Sequence, residues 1–305
     1  MASWERPEYR AMKALVEGRL PLLMDGASAR GSKALADAMR YSLLAPGKRL
    51  RPVLLLLCCK ACGGQAEEAL PFACAIEMVH CYSLIHDDLP CMDDDDLRRG
   101  MPTSHKVYGE GMAVLAGDGL LSLAFETLHE DYALCSGEPE KLRRHTAAGR
   151  MLAEACGACG MVAGQAEDLA AEGKAVPGEA LDFIHVRKTA ALIRAAAGMG
   201  AVLGGAAEED AREYAAYGES LGLAFQVADD ILDVTGDTQV IGKTAGKDAA
   251  QQKATYPAVY GLAASRVRLA ELTERAACAL GRARGDAAAI GMLSGLAREL
   301  ETRAK

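Results

Sequence analysis

Residues 67–100 read EEALPFACAIEMVHCYSLIHDDLPCMDDDDLRRG. The stretch begins as an apolar run long enough for about six turns of helix and then ends in a cluster of carboxylates. Carboxylates that continue a core-facing pattern are costly to bury unless they are paired or bind a metal. The stretch therefore predicts a buried helix, residues 67–88, that carries acidic side chains into a functional site.

The rest of the chain repeats the helical pattern. Of its 305 residues, 50% are hydrophobic and only 5% are aromatic, so Ala, Leu, Val and Met must form most of the core. Runs of strand-forming residues are scarce, and Ala-rich and Leu-rich stretches with a period of about 3.6 residues dominate. Because no linker or low-complexity stretch divides the chain, the sequence predicts an all-α fold and a single domain over residues 1–305.

Composition and motifs exclude several function classes. The formal net charge of -8 argues against a nucleic-acid-binding protein, which needs a basic surface. The sequence lacks the Gly-x4-Gly-Lys-Ser/Thr loop, so ATP hydrolysis by the P-loop route is not expected. The 10 cysteines lie mostly in apolar segments and indicate reduced thiols. Cys156 and Cys159 have CxxC spacing, but no second ligand pair supports a zinc site.

The N-terminal residues and the apolar runs bear on location. Charged residues, among them Glu5, Arg6 and Glu8, lie where a signal peptide requires an apolar run. No uncharged apolar stretch reaches the roughly 18 residues needed to cross a bilayer. These observations predict a cytoplasmic protein without membrane insertion.

The first acidic cluster follows the apolar helix and contains Asp87, Asp88 and Asp93 around Pro90. On an unbroken helix, Asp87 and Asp93 would point about 240° apart and could not share a cation. Proline breaks or kinks a helix, and the break brings Asp93 back toward Asp87. We therefore expect Asp87 to bind metal, whereas Asp94–Asp96 fit a solvated loop.

The second acidic cluster contains Asp229, Asp230 and Asp233 at the end of another apolar helix. Asp229 and Asp233 lie one turn apart on one face, which suits a divalent cation. Carboxylates this close raise each other's pKa unless a cation is present. The helix dipole also disfavours carboxylates at a C-terminus, so metal binding is favoured over an acidic surface patch.

Cationic residues accompany both clusters. Arg98 and Arg99 follow the first cluster directly, and Lys188 lies in an apolar helix where it needs an anion from the protein or from a substrate. Lys48 and Arg51 belong to the turn Gly-Lys-Arg-Leu-Arg-Pro, which is either an anion clamp or a basic helix end at the surface. Carboxylates beside cations favour a metal–diphosphate site over a bare metal site.

The two aspartate motifs and the basic turn together resemble the trans-isoprenyl diphosphate synthases, specifically the bacterial-type farnesyl diphosphate synthases. The resemblance runs from about residue 40 to the end of the chain. It implies an isoprenoid-synthase-type helical bundle around a central apolar cavity, usually a homodimer. It also implies condensation of isopentenyl diphosphate with dimethylallyl or geranyl diphosphate through Mg²⁺-assisted ionisation, condensation and elimination, with about three Mg²⁺ per active site.

The resemblance assigns roles to residues of this sequence. The direct Mg²⁺ ligands would be Asp87, Asp93 and Asp229, with Asp88, Asp230 and Asp233 as nearby carboxylates that act directly or through water. The allylic diphosphate or its leaving group would be held by Arg98, Lys188, Gln226, Lys243 and Lys253, with Thr189 against the cation. Isopentenyl diphosphate would be held by Lys48, Arg51, His80 and Arg99. Residues 236–252 would form a lid.

Product length depends on the helix that precedes Asp87. Tyr82 lies more than one turn deeper, where a bulky residue in similar enzymes stops the product at 15 carbons, and Ser83 beside it is small. Tyr82 therefore predicts farnesyl diphosphate, with geranylgeranyl diphosphate as the alternative. A terpene cyclase would need a more aromatic cavity than 4 Phe and 1 Trp allow. A non-catalytic partner subunit ought to have lost one aspartate motif.

Overall fold

The computed structural model describes residues 3–174, 176–235 and 254–303, and these are almost entirely helical. A short 3-10 turn covers Ser3–Glu5. The helices of the first half are α1 Pro7–Arg30, α2 Lys33–Leu43, α3 Leu50–Ala61, α4 Ala66–Asp87, α5 Ser104–Tyr108, α6 Glu110–Leu134 and α7 Pro139–Cys156. Those of the second half are α8 Met161–Ala171, α9 Gly178–Ile184, α10 Ala191–Leu203, α11 Glu208–Thr235, α12 Tyr256–Tyr260, α13 Leu262–Arg282 and α14 Ala287–Arg303. The all-α prediction is confirmed.

The core is built around α4, which packs against α3 and α6. Helix α10 packs against α3, α7 and α11, and α11 in turn packs against α13. Residues 53–59 of α3 and 72–79 of α4 are buried without interruption, as expected for helices that are surrounded by others. The central position of α4 carries its C-terminal end, and the aspartates there, to the edge of the core.

Several local features interrupt the helices or separate them. Gly157 and Gly160 flank the turn between α7 and α8. A π-helical segment, His185–Ala190, lies between α9 and α10. The antiparallel hairpin of β1 Leu97–Arg98 and β2 Met101–Pro102 directly follows the first aspartate motif.

Two helices are long and apolar enough to cross a membrane by length and composition alone. In Ala66–Asp87 the apolar window is 67% buried, which is typical of a core helix, whereas in Glu110–Leu134 only 44% is buried. The expectation of no membrane insertion stays a prediction, as does the single domain over residues 1–305.

Candidate active site

The first aspartate motif turns back over the end of α4. The amide of Asp93 donates to the carbonyl oxygen of Asp87 at 2.8 Å, and the amide of Asp95 donates to that of Asp88 at 3.2 Å. Helices usually end before the residue that precedes a proline, so Pro90 accounts for the break. The turn therefore brings Asp93 beside Asp87.

The environment of Asp87 suits a divalent cation. The pKa of the Asp87 carboxyl is raised to about 6, mainly by burial and also by the charge of Asp93, while Lys188 and Arg98 act in the opposite direction. The ionised carboxylate is thus under-stabilised by the protein alone, and a hard cation that binds carboxylate oxygens would stabilise it. Asp87 and Asp93 therefore fit the Mg²⁺ that the resemblance implies.

Asp88 is paired with an arginine of the hairpin. It is 3% exposed, and Arg98 Nε donates to its two carboxylate oxygens at 3.0 and 3.3 Å. Arg98 Nη2 also donates to Asp88 Oδ1 and, at 3.3 Å, to Asp95. Because the guanidinium fork contacts both oxygens of Asp88, this residue orients Arg98, and its action on Mg²⁺, directly or through water, stays a prediction.

Lys188 lies in the π-helical segment and pairs with Asp168 of α8. A protein-borne anion was one of the two partners that the sequence allowed. Helix α8 approaches closely here, since a Cβ added to Gly164 would lie 2.2 Å from the Lys188 backbone nitrogen. Only glycine permits this contact. π-helical segments are rare and frequently occur at functional sites.

The second aspartate motif divides into a buried residue and two half-buried ones. Asp230 Oδ1 accepts a hydrogen bond from Gln226 Nε2 at 2.8 Å, and Oδ2 accepts one from the Tyr256 amide at 2.9 Å. With both oxygens bonded to the protein, Asp230 fixes Gln226 and the start of α12, and its action on Mg²⁺, directly or through water, stays a prediction. Asp229 and Asp233 are half-buried one turn apart on α11.

The π-helical segment joins the two motifs. The positive charge of Lys188 lowers the pKa of Asp87, which lies at the end of α4. Its neighbour Thr189 donates through Oγ1 to Gln226 Oε1 at 2.8 Å, three residues before Asp229 on α11. Of the residues expected at the allylic diphosphate, Arg98, Lys188, Thr189 and Gln226 thus form a polar wall between the end of α4 and α11. Lys243, Lys253 and the predicted lid, residues 236–252, lie outside the described residues.

Three of the four residues expected at isopentenyl diphosphate lie together. Arg51 Nη1 is 3.2 Å from His80 Nε2, and this ring nitrogen must accept because a guanidinium only donates. Burial and the nearby charges of Arg51 and Arg99 hold the pKa of His80 well below its usual value. Burial also lowers the pKa of Arg51 to about 10, with Arg99 adding to the effect.

Lys48, the fourth of these residues, has a different contact. Its ammonium lies 4.1 Å from the centre of the Trp4 ring, a cation–π arrangement. The next residue, Arg49, has a left-handed backbone and turns its side chain inward to Glu77. The three cations of the basic turn therefore do not share one direction, because the backbone reverses at Arg49.

The residues expected to set product length lie in the helix wall. Tyr82 is 7% exposed, and its ring packs edge-on against His86 with centroids 5.7 Å apart. Burial raises the pKa of the Tyr82 phenol to about 12, and Cys156 of α7 adds to the effect, so Tyr82 lies toward α7. Ser83 Oγ donates to the His80 carbonyl oxygen of its own helix at 3.0 Å.

A separate polar cluster lies at the turn between α6 and α7. Among the described residues, Asp131, Cys135 and His145 bring metal-ligand atoms within 4.8 Å of one another. His145 Nδ1 is 2.5 Å from Asp131 Oδ2, and this hydrogen bond accounts for the pairing without a metal. Cys156 is buried and Cys159 exposed, and all ten cysteines are free thiols.

Sequence reasoning missed two partners in the site. Asp168, which lies on α8 and pairs with Lys188, was not identified as the partner of this cation. Tyr256, whose amide holds Asp230, was not singled out. A buried cation in an apolar helix signals the need for a carboxylate, but the sequence does not say which carboxylate supplies it.

Comparison with known proteins agrees with this geometry. The family description "Polyprenyl synthetase" matches residues 32–284. Geranylgeranyl pyrophosphate synthase 12, chloroplastic, from Arabidopsis thaliana is 52% identical over 249 residues, 80% of this chain and 68% of that protein. The heterodimeric geranylgeranyl pyrophosphate synthase large subunit 1, chloroplastic, of the same plant is 53% identical over 75% of this chain. An FPP/GFPP synthase from Zymomonas mobilis superposes with a TM-score of 0.80 at 35% identity, covering 96% of this chain and 98% of that one.

These comparisons correct one expectation. The chain spans 62% of the length of the large subunit and 68% of the other Arabidopsis relative. Both relatives are named as chloroplastic, so the prediction of a cytoplasmic location is wrong. The prediction of a trans-prenyltransferase is confirmed. The chain belongs to the polyprenyl synthetase family, whose two aspartate motifs and basic turn it carries.

Proposed function

We propose that this chain condenses isopentenyl diphosphate with an allylic diphosphate and that its main product is geranylgeranyl diphosphate. The observation that carries the proposal is the polar wall between α4 and α11. Along it, the positive charges of Lys188 and Arg98 lower the pKa of Asp87, and Thr189 donates a hydrogen bond to Gln226. Ligands for cations and ligands for anions then lie side by side, as a metal-bound diphosphate requires.

Asp87, Asp93 and Asp229 would hold Mg²⁺, since carboxylate oxygens are the ligands this cation prefers. When bound, Mg²⁺ would neutralise the allylic diphosphate and make it a better leaving group. Lys188 and Arg98 would bind the phosphate oxygens that remain, and each has a carboxylate partner that keeps it oriented.

The reaction breaks the allylic C–O bond to diphosphate and forms a C–C bond to the terminal alkene carbon of isopentenyl diphosphate. Bond formation leaves the positive charge on the internal alkene carbon. The CH2 group between this carbon and the CH2–O group then loses a proton to the released diphosphate, and the new double bond forms. Arg51 and Arg99 would hold the diphosphate of isopentenyl diphosphate. His80 stays uncharged at neutral pH and accepts from Arg51, so it would orient that guanidinium rather than donate a proton.

Product length is the finer part of the proposal. Both Arabidopsis relatives, at 52% and 53% identity, are named for geranylgeranyl pyrophosphate. Farnesyl diphosphate is a second candidate, because the buried Tyr82 ring lies five residues before Asp87 and would limit the growing tail. The Zymomonas mobilis neighbour is named for FPP as well as for GFPP, which supports this second candidate.

We also propose that the chain works as a homodimer. Helix α6 carries apolar side chains at the surface, among them Val114 and Leu115, which are 39% and 53% exposed. An exposed apolar face on a long helix favours burial against a second copy. Light scattering should then give twice the chain mass of 32.0 kDa.

The chloroplastic names of the relatives support a plastid location.

The proposal is tested by incubating the purified chain with labelled isopentenyl diphosphate, Mg²⁺ and, separately, dimethylallyl, geranyl or farnesyl diphosphate. Products are dephosphorylated and sized by chromatography. A 20-carbon product from all three starters supports the proposal, and Asp87→Asn should strongly reduce its yield at the Mg²⁺ concentration that saturates the wild type. Accumulation of a 15-carbon product, with the farnesyl starter left unused, would favour farnesyl diphosphate. Absence of any condensation product would refute the activity.

A further inference from the structure

The turn between α2 and α3 contains an ion pair that the proposed function does not use. Arg49 Nη1 lies 2.6 Å from Glu77 Oε1, and both side chains are 2% exposed. Arg49 also has φ 55° and ψ 41°, a left-handed conformation that is uncommon for a residue with a side chain. Loss of either partner would remove the shortest ion pair of a buried charge and leave weaker neighbours, such as Glu17 at 3.6 Å from Arg49 Nε. The pair therefore fixes a backbone that would otherwise relax.

One carbonyl oxygen links this pair to the substrate-binding cations. Arg49 Nη2 donates to the Ala45 oxygen at 2.8 Å, and Arg99 Nη1 donates to the same oxygen at 3.4 Å. The Arg99 guanidinium also lies against Gly47, where an added Cβ would come within 3.1 Å of the guanidinium carbon. The turn thus supports Arg99, and the buried pair supports the turn.

Glu77 also acts on the second arginine of the site. It lies three residues before His80 on α4, so the two side chains share a face. The negative charge of Glu77 opposes the effect of burial on Arg51, whereas Arg99 adds to that effect. Arg51 in turn contacts His80. Glu77 is therefore a counter-charge for cations that must remain close together before an anionic substrate arrives.

We infer that Arg49 and Glu77 are positioning residues of the isopentenyl diphosphate site, which hold Arg99 and Arg51 in place without touching the substrate. The inference rests on the proposed function. The effect of the Arg49–Glu77 pair should be selective for isopentenyl diphosphate, because the residues assigned to the allylic substrate have other partners. Asp168 holds Lys188, and Asp230 holds Gln226.

The test is the steady-state kinetics of Arg49→Lys and Glu77→Gln. A lysine keeps the charge but cannot reach both Glu77 and the Ala45 oxygen, and glutamine keeps the shape but not the charge. We expect the KM for isopentenyl diphosphate to rise about tenfold in each variant. The KM for the allylic diphosphate, and kcat at saturating isopentenyl diphosphate, should change less than about twofold. Arg282→Lys is the control, since Arg282 forms a comparable two-point contact with Glu213 at the surface.

The outcomes separate positioning from simple stability. A merely structural pair would lower the melting temperature and leave the ratio of the two KM values at the wild-type value, which would overturn the inference. An equal rise of both KM values would also overturn it. If Arg49→Lys does not fold, Glu77→Gln, which keeps a hydrogen-bond acceptor for Arg49, decides between the same two results. A wild-type chain that makes no condensation product refutes the proposed function instead.

Discussion

The Lys188 ammonium of the π-helical segment pairs with the Asp168 carboxylate of α8. The proposed function assigns Lys188 to the allylic diphosphate, so the same ammonium contacts both Asp168 and the substrate. Asp168 is only 13% exposed, so it depends on Lys188 as much as Lys188 depends on it. Substrate binding then requires the ammonium to share its protons between the carboxylate and the diphosphate.

This pairing predicts that activity and stability respond differently to substitution. Lys188→Ala should lower kcat/KM for the allylic diphosphate about 100-fold, or about 2.7 kcal/mol, because a phosphate contact is lost. It should also lower the melting temperature, because Asp168 is left unpaired. The double variant Asp168→Asn/Lys188→Ala should recover the melting temperature but not the activity. Recovery of activity in the double variant would contradict a substrate-binding role for Lys188.

The close approach of α8 to the π-helical segment makes a second prediction. In Gly164→Ala the new methyl group would meet the backbone of Lys188, which cannot move aside as a flexible side chain would. Urea denaturation should show a loss of about 1–3 kcal/mol in unfolding free energy, with reduced activity. Gly18→Ala on the exposed side of α1 is the control, and it should be neutral or stabilising because nothing lies within 4 Å. Equal stabilities of the two variants would contradict the tight contact.

The different partners of Asp87 and Asp88 predict different responses to Mg²⁺. Asp87→Asn should raise the Mg²⁺ concentration for half-maximal activity by about tenfold or more, because a ligand is weakened. Asp88→Asn should reduce kcat through Arg98 but leave that Mg²⁺ concentration nearly unchanged, since both oxygens of Asp88 are bonded to Arg98. Titration of activity with Mg²⁺ after chelation measures both. A large increase of the half-maximal Mg²⁺ concentration in Asp88→Asn would instead indicate that Asp88 is a metal ligand.

Much of the fold and the position of the site followed from residue patterns. The period of the apolar residues gave the helices, and Pro90 predicted the turn that returns Asp93 to Asp87. Both depend on local chemistry, which a sequence displays.

The individual partners within the site could not be predicted. Whether Asp88 faces a metal or Arg98 depends on the hairpin after the motif, and the inward turn of Arg49 depends on a left-handed backbone at a residue type that rarely adopts one. The π-helical segment, which carries Lys188, packs closely against Gly164 of α8, a contact that the pattern of its own residues does not reveal. These features come from contacts between distant parts of the chain.

The environment of His80 predicts a pH dependence of stability. Its folded-state pKa is lowered well below 6.5 by burial and by Arg51 and Arg99, so between the two pKa values the unfolded chain binds more protons. The contribution of His80 to the unfolding free energy should therefore be complete above pH 6.5, and the unfolding free energy should decrease as the pH falls from about 6.5 to 5. His80→Gln should make this decrease shallower, whereas His129→Gln, at an exposed position, should not. Urea denaturation across this range measures the slope, and an unchanged slope in His80→Gln would contradict the assignment.

The buried ring of Tyr82 predicts a change in product length. In Tyr82→Ala the ring that packs against His86 is removed, and space opens one turn deeper than Asp87. The main product should become longer by one or more five-carbon units, as measured by chromatography after dephosphorylation. Ser83→Ala is the control, because Ser83 Oγ bonds only within its own helix and its loss leaves the cavity shape unchanged. If Tyr82→Ala gives the same product as the wild type, Tyr82 packs between helices and another residue limits the chain.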